Sequence, residues 1–225
     1  REKEAEGEKP KAQVFFTAYI RDGVRNKAKR PITFSFNGGP GSASVWMHLG
    51  MLGPRRVVMT FEGDLPQPPF QLTDNEYSLL DETDLVFIDP VSTGFSRVLG
   101  DERGERFFGV NEDIAYLARW LETFVRRHGR WTSPKYLIGE SYGTTRVAGL
   151  AGRLQGSHWM YLNGVVLVSP TGLGIEREGP VGDALYLPYY AATAWYHRQL
   201  EPELQARDLE ELLPEVEAFT LDELL

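Results

Sequence analysis

One feature constrains this chain above all others: the apolar run Tyr136-Leu137-Ile138 passes directly into Gly139-Glu140-Ser141-Tyr142-Gly143, and a helix-periodic stretch follows. A strand that must reverse into a helix within a few residues leaves no room for side chains on either side of the turn. Glycines flanking a serine therefore mark a sharp elbow with the serine at its tip, a plain strand-to-helix turn being the alternative. The spacing predicts a strand over 136–138 and a helix over 142–154. The same alternation runs along the chain. Residues 13–20 and 32–36 read as strands joined by a polar connection, a hairpin-like start, and 56–60 as a further strand. Residues 84–88 and 165–168 read as short buried strands. Ile114, Leu117, Ala118, Leu121, Phe124 and Val125 recur at helical spacing and predict an amphipathic helix from 110 to about 128. Strands alternating with helices imply an α/β fold with a mostly parallel sheet.

After Ser169-Pro170 the pattern changes. Residues 171–182 read as loop, Pro188 suits the first turn of a helix running to about Leu200, and an acidic tract carries Leu209, Leu212, Leu213, Val216 and Phe219. Pro214 interrupts that tract, whose apolar stripe has no evident partner. The expected division is 1–170 as sheet-bearing core and 171–225 as the start of a helical insertion.

A second glycine cluster, Asn37-Gly38-Gly39-Pro40-Gly41, follows the strand at 32–36. Glycines let backbone N–H groups face a ligand, and a tetrahedral intermediate needs such donors for its oxyanion, each worth about 3–4 kcal/mol. The expected pair is the Gly39 N–H and the Tyr142 N–H, with Ser141 as nucleophile. With 24 Lys and Arg against 32 Asp and Glu the net charge is −8, which argues against nucleic acid or an anionic membrane and for a small-molecule or peptide partner. No run approaches the roughly 18 apolar residues of a membrane span, so the segment reads as soluble. Zero cysteines exclude disulfides, thiolate metal sites and a cysteine nucleophile. The four histidines lack paired metal-ligand spacing and no Walker-type phosphate loop is present, so neither metal nor cofactor is expected.

Three blocks, Asn37-Gly38-Gly39-Pro40-Gly41-Ser42 with residues 49–54, Asp89-Pro90-Val91-Ser92-Thr93-Gly94-Phe95-Ser96, and Gly139 to Gly143, resemble in order and spacing the signatures of serine carboxypeptidases. The resemblance covers about 14–170. It implies an α/β-hydrolase fold with a helical cap insertion, later strands missing here, and hydrolysis of C-terminal residues from peptides through an acyl-enzyme. It further implies that Asn37, Gly38 and Glu140 bind the free C-terminal carboxylate of a peptide. Glu140 would share a proton with it, because two carboxyl groups in contact are not both ionised cheaply, so binding favours acid. The lack of cysteine resembles bacterial members, and the family implies a periplasmic or secreted location. Two positions depart: a glutamate that some members carry after the glycine loop is Met51 here, and a tryptophan often found before it is Ser35.

Such a serine requires a base and an acid that orients it, in the order Ser, Asp, His. Downstream of Ser141 the sole ordered combination is Asp183 with His197, which the expected helix sets apart; His48 and His128 read as loop or helix-surface residues. The resemblance places the Asp and His beyond Leu225, so the chain reads as an inactive fragment whose partner is the C-terminal part of the same protein. The alternatives are an esterase or acyltransferase with the same machinery, or a non-catalytic peptide-binding module.

Overall fold

The central sheet is built from β1 (Phe16–Tyr19), β2 (Ile32–Phe36), β3 (Asp84–Ile88), β4 (Lys135–Glu140) and β5 (Gly164–Val168). Their order is β5-β4-β2-β3-β1, all parallel except β1, which runs antiparallel to β3. The computed structural model describes residues 2–4, 7–100, 104–171 and 179–225, in two units, 1–171 and 172–225.

The hairpin expected between 13–20 and 32–36 does not form, because β3 lies between β1 and β2. Every residue of β2 and β3 is buried, so each strand needs a hydrogen-bonded neighbour on both edges. The partly exposed β1 tolerates the edge. The 13–20 run is also split: Ala12–Gln13 pairs with Arg97–Val98, and the Phe15 N–H donates to Ser96 Oγ at 2.8 Å. The strand expected at 56–60 is realised as Arg55–Val57 only, paired with Leu72–Asp74.

Alternation within the buried strands serves two faces. Ile32, Phe34 and Phe36 of β2, Val86 and Ile88 of β3 and Leu137 of β4 pack under α1 (Val110–Arg127) and α2 (Tyr142–His158). Leu85, Phe87 and Ile138 face the other way, onto Met47 and Leu52. Each such side chain contributes roughly 1.5–3 kcal/mol by burial. Helix α2 runs to His158, beyond the expected 154, and stops where Trp159 takes a left-handed conformation at φ 54°. His48, expected at a loop or helix surface, opens the helical turn His48–Leu52 and is half-buried: its ring stacks on Phe87 at 4.6 Å and its Nε2 lies 2.8 Å from the Tyr19 hydroxyl. Burial lowers its pKa, with Asp89 pulling the other way.

The second unit holds α3 (Pro180–Leu185), α4 (Leu187–Tyr196), α5 (Pro202–Gln205) and α6 (Leu209–Phe219). Of the expected loop at 171–182, residues 172–178 lie outside the described residues, and Pro180 already opens α3. The helix expected to reach Leu200 ends at Tyr196, where Arg198 takes φ 56° and the Gln199 N–H returns to the Ala194 carbonyl. Pro214 lies inside α6 rather than interrupting it. The apolar stripe of α6 does find a partner in α4, and Leu212, Val216 and Phe219 border a hollow of about 450 Å³ with Tyr190, Ala191 and Ala194. Among the described residues no helix is long and apolar enough to cross a membrane.

Candidate active site

Ser141 stands between the end of β4 and the first residue of α2 with φ 56° and ψ −127°. That conformation is strained for a residue with a Cβ, and the surroundings enforce it. The Ser141 N–H donates to the Val168 carbonyl of β5 at 3.0 Å, while the Ser141 carbonyl accepts from the Thr144 N–H at 2.9 Å and the Thr144 hydroxyl at 2.7 Å. The flanking glycines have no alternative. A Cβ on Gly139 would lie 2.1 Å from the Gly143 carbonyl oxygen, and one on Gly143 2.9 Å from that of Phe36. Strand and helix pass closer here than any side chain allows.

The glycine loop after β2 meets this elbow. A Cβ on Gly38 would lie 2.7 Å from both the Ser141 Cβ and the Tyr142 nitrogen, and Gly39 has φ 105°. The Tyr142 N–H, at the first position of α2, has no intrahelical acceptor. The Gly39 N–H makes no backbone hydrogen bond among the described residues. Both donors therefore remain available for an oxyanion. Gly38→Ala must push the glycine loop off the elbow, and is expected to lower turnover about 10²- to 10³-fold by displacing these donors, together with some loss of stability. Steady-state kinetics of a variant with native circular dichroism checks this.

Beside Ser141, Asn37 is almost fully buried and its orientation is set at both ends of the amide. Its Nδ2 donates to Glu140 Oε2 at 3.0 Å and its Oδ1 accepts from the Met47 N–H at 2.9 Å. Asn37, Gly39, Glu140 and Ser141 line one open cleft of about 620 Å³, whose apolar side is Trp46, Met47 and Met51. The cleft thus offers a polar corner and an apolar wall. The second sequence block is tied to the segment that follows the glycine loop: Asp89 accepts from the Ser44 N–H at 2.9 Å, and Ser44 Oγ donates to the carbonyl of the preceding Ile88.

With this geometry in place, the comparison with known proteins is decisive, because residues 5–174 match the family described as serine carboxypeptidase. The chain belongs to the serine carboxypeptidase family. Among its relatives, the serine carboxypeptidase-like 36 protein of Arabidopsis thaliana is 30% identical over 141 residues, covering 61% of this chain and 27% of that protein. The serine carboxypeptidase-like 38 protein of the same plant is 26% identical over 178 residues, covering 75% of this chain and 33% of that protein. This member of the family therefore spans a third or less of the length of these relatives. Its fold is similar to that of Kex1(delta)p, a prohormone-processing carboxypeptidase from Saccharomyces cerevisiae, with a TM-score of 0.54 and 20% identity over 94% of this chain and 44% of that one. The fold is that of α/β-hydrolases.

No histidine of the first unit is hydrogen-bonded to Ser141. His48 is held by Tyr19, His158 Nδ1 by Glu122 at 2.8 Å, and His128 lies against Phe124 at the end of α1. Asp183 lies in α3 and His197 caps α4, both in the second unit. Sequence reasoning missed one feature at this site, the buried pair Asp113 and Arg146. A signal existed: Asp113 shares the stripe of Leu117 and Leu121, and Arg146 that of Leu150 and Leu154, so each charge sits on an apolar helix face.

Proposed function

We propose that this chain carries the nucleophile and substrate-carboxylate site of a serine-type carboxypeptidase that releases C-terminal residues from peptides. The observation that carries the reading is the strained Ser141 elbow placed against Gly38, with the hydrogen-bonded Asn37–Glu140 pair in the same cleft. In the proposed reaction Ser141 Oγ attacks the last peptide carbonyl and the oxyanion rests on the Gly39 and Tyr142 N–H groups. A histidine, oriented by an aspartate, takes the serine proton and delivers it to the leaving amine. Both would come from outside residues 1–225, in keeping with the greater length of the relatives. Water then releases the acyl group from Ser141.

Recognition of the terminus is the finer part of the proposal. The Asn37 amide and the Glu140 carboxyl would receive the substrate carboxylate, with one proton shared between the two carboxyl groups. Glu140→Gln is expected to lower kcat/KM on free-terminus peptides several-fold more than on amidated ones, because only the former bring a carboxylate to this corner of the cleft. kcat/KM measured on both substrates tests it, and equal losses on the two would remove Glu140 from carboxylate recognition.

A further inference from the structure

The Arg146–Asp113 pair is nearly sealed from water, at 1% and 5% exposure. A buried ion pair is a poor source of stability, since well-packed apolar side chains often serve as well. Its geometry points elsewhere. Arg146 Nε donates to Asp113 Oδ2 at 2.7 Å, and Nη1 donates to the Asn37 backbone carbonyl at 2.8 Å. The same guanidinium lies over the Tyr142 ring, 5.1 Å from its centre, and 5.7 Å from that of Phe36. We propose that Arg146, oriented by Asp113, is a positioning residue that locks together the two halves of the oxyanion site, the glycine loop and the start of α2. The proposal rests on the serine-hydrolase reading above.

The peptide group supplies the mechanism. The Asn37 carbonyl and the Gly38 N–H belong to one rigid plane, so a hydrogen bond that pins the carbonyl fixes the first plane of the glycine loop. From there the chain continues to the Gly39 donor. On the other side the guanidinium face holds the Tyr142 ring, and with it the residue whose N–H is the second donor. One side chain thus references both donors to each other. Only a planar fork can do this, because it must present separate N–H groups to a carboxylate and a carbonyl while offering its face to a ring. Asp113 is held in turn by Tyr116, whose hydroxyl accepts from the Val91 N–H at 2.9 Å, tying the Asp89–Ser96 block into the same network. Burial raises the pKa of Asp113 and the Arg146 charge offsets part of this, so the carboxylate depends on Arg146 as well as orienting it.

The test uses the natural full-length protein with Arg146→Lys, Arg146→Ala and Asp113→Asn. Sites are counted by endpoint fluorophosphonate titration of Ser141, and kcat and KM are measured on a free-terminus peptide together with the melting temperature. Arg146→Lys keeps charge and length but loses the fork. Its turnover per titrated serine is expected to fall about tenfold to hundredfold, as for small misplacements of reacting groups. KM should stay within roughly twofold, the signature of an interaction used in the transition state. Arg146→Ala should fall further and recover partly in millimolar guanidinium, which the hollow of about 160 Å³ lined by Asp113, Tyr142 and Arg146 can admit, and not in equal sodium chloride. Asp113→Asn should resemble Arg146→Lys. A purely structural pair would lower the melting temperature or the titratable fraction and leave turnover per site at the natural value in Arg146→Lys, which overturns the proposal. Failure of the unaltered protein to label at Ser141 would instead overturn the serine-hydrolase reading, and this inference with it.

Discussion

Ser141→Ala in the full-length protein is expected to abolish covalent labelling by a fluorophosphonate and to lower peptide turnover by at least about 10⁴-fold, the scale on which nucleophile deletions act in serine hydrolases. The backbone at this position is held by groups the substitution leaves in place: the Val168 carbonyl, the Thr144 N–H and the Thr144 hydroxyl. Alanine has the same Cβ as serine and suffers the same strain at φ 56°, so stability should change by less than about 1 kcal/mol. Loss of function without loss of fold is therefore the expected pair of results. Mass spectrometry of the labelled protein and a thermal melt of the variant check both halves. An adduct on another serine, with Ser141 free, would remove the nucleophile assignment and with it the role of the glycine loop.

Asp84→Ala is expected to be the most destabilising of these substitutions, by about 3–5 kcal/mol, because it leaves two guanidinium groups facing an empty site. Asp84 is 1% exposed at the start of β3 and accepts from the Arg30 side chain at 2.7 Å, from the Arg21 N–H at 3.0 Å, and from Arg130, itself only 2% exposed. Arg130 also donates to the carbonyls of Arg30 and Pro31, so the cluster ties the beginnings of β2 and β3 to the loop before β4. Burial acts to raise the pKa of Asp84, but the Arg21 N–H and the Arg30 and Arg130 guanidiniums outweigh it and the net shift is downward. A carboxyl held below its ordinary value contributes stability above about pH 4 that is lost as pH falls through the folded value. The variant should lack that acid-sensitive component as well as the neutral-pH stability. Denaturant titrations at pH 7 and in acid measure both, and a loss under about 1 kcal/mol at pH 7 would show that the two arginines find other partners.

The elbow at Ser141 was legible because it is local. An apolar run, two glycines around a serine and a helical period lie within some twenty residues, and the steric conflict that makes Gly139 and Gly143 obligatory arises between atoms close in the chain. The glycine loop was legible for the same reason. Strand order was not: β2 and β1 are neighbours in sequence, yet β3 separates them, because burial of both faces is visible in a single strand while the choice of partner depends on which strands together satisfy the most backbone groups.

The charged pair of Asp113 and Arg146 marks the same boundary. Each residue stands out within its own helix as a charge on an apolar stripe, but they are 33 positions apart, and their meeting depends on how α1 and α2 pack on one face of the sheet. His48 behaves likewise, since its stacking on Phe87 and its bond to Tyr19 require β1 and β3 to lie side by side. By itself the sequence determined where the backbone must turn tightly and which residue stands at the tip, because local sterics permit few solutions. Tertiary structure alone decided which carbonyl Arg146 grips and which strands flank β2, because those energies arise only when distant segments bury one another.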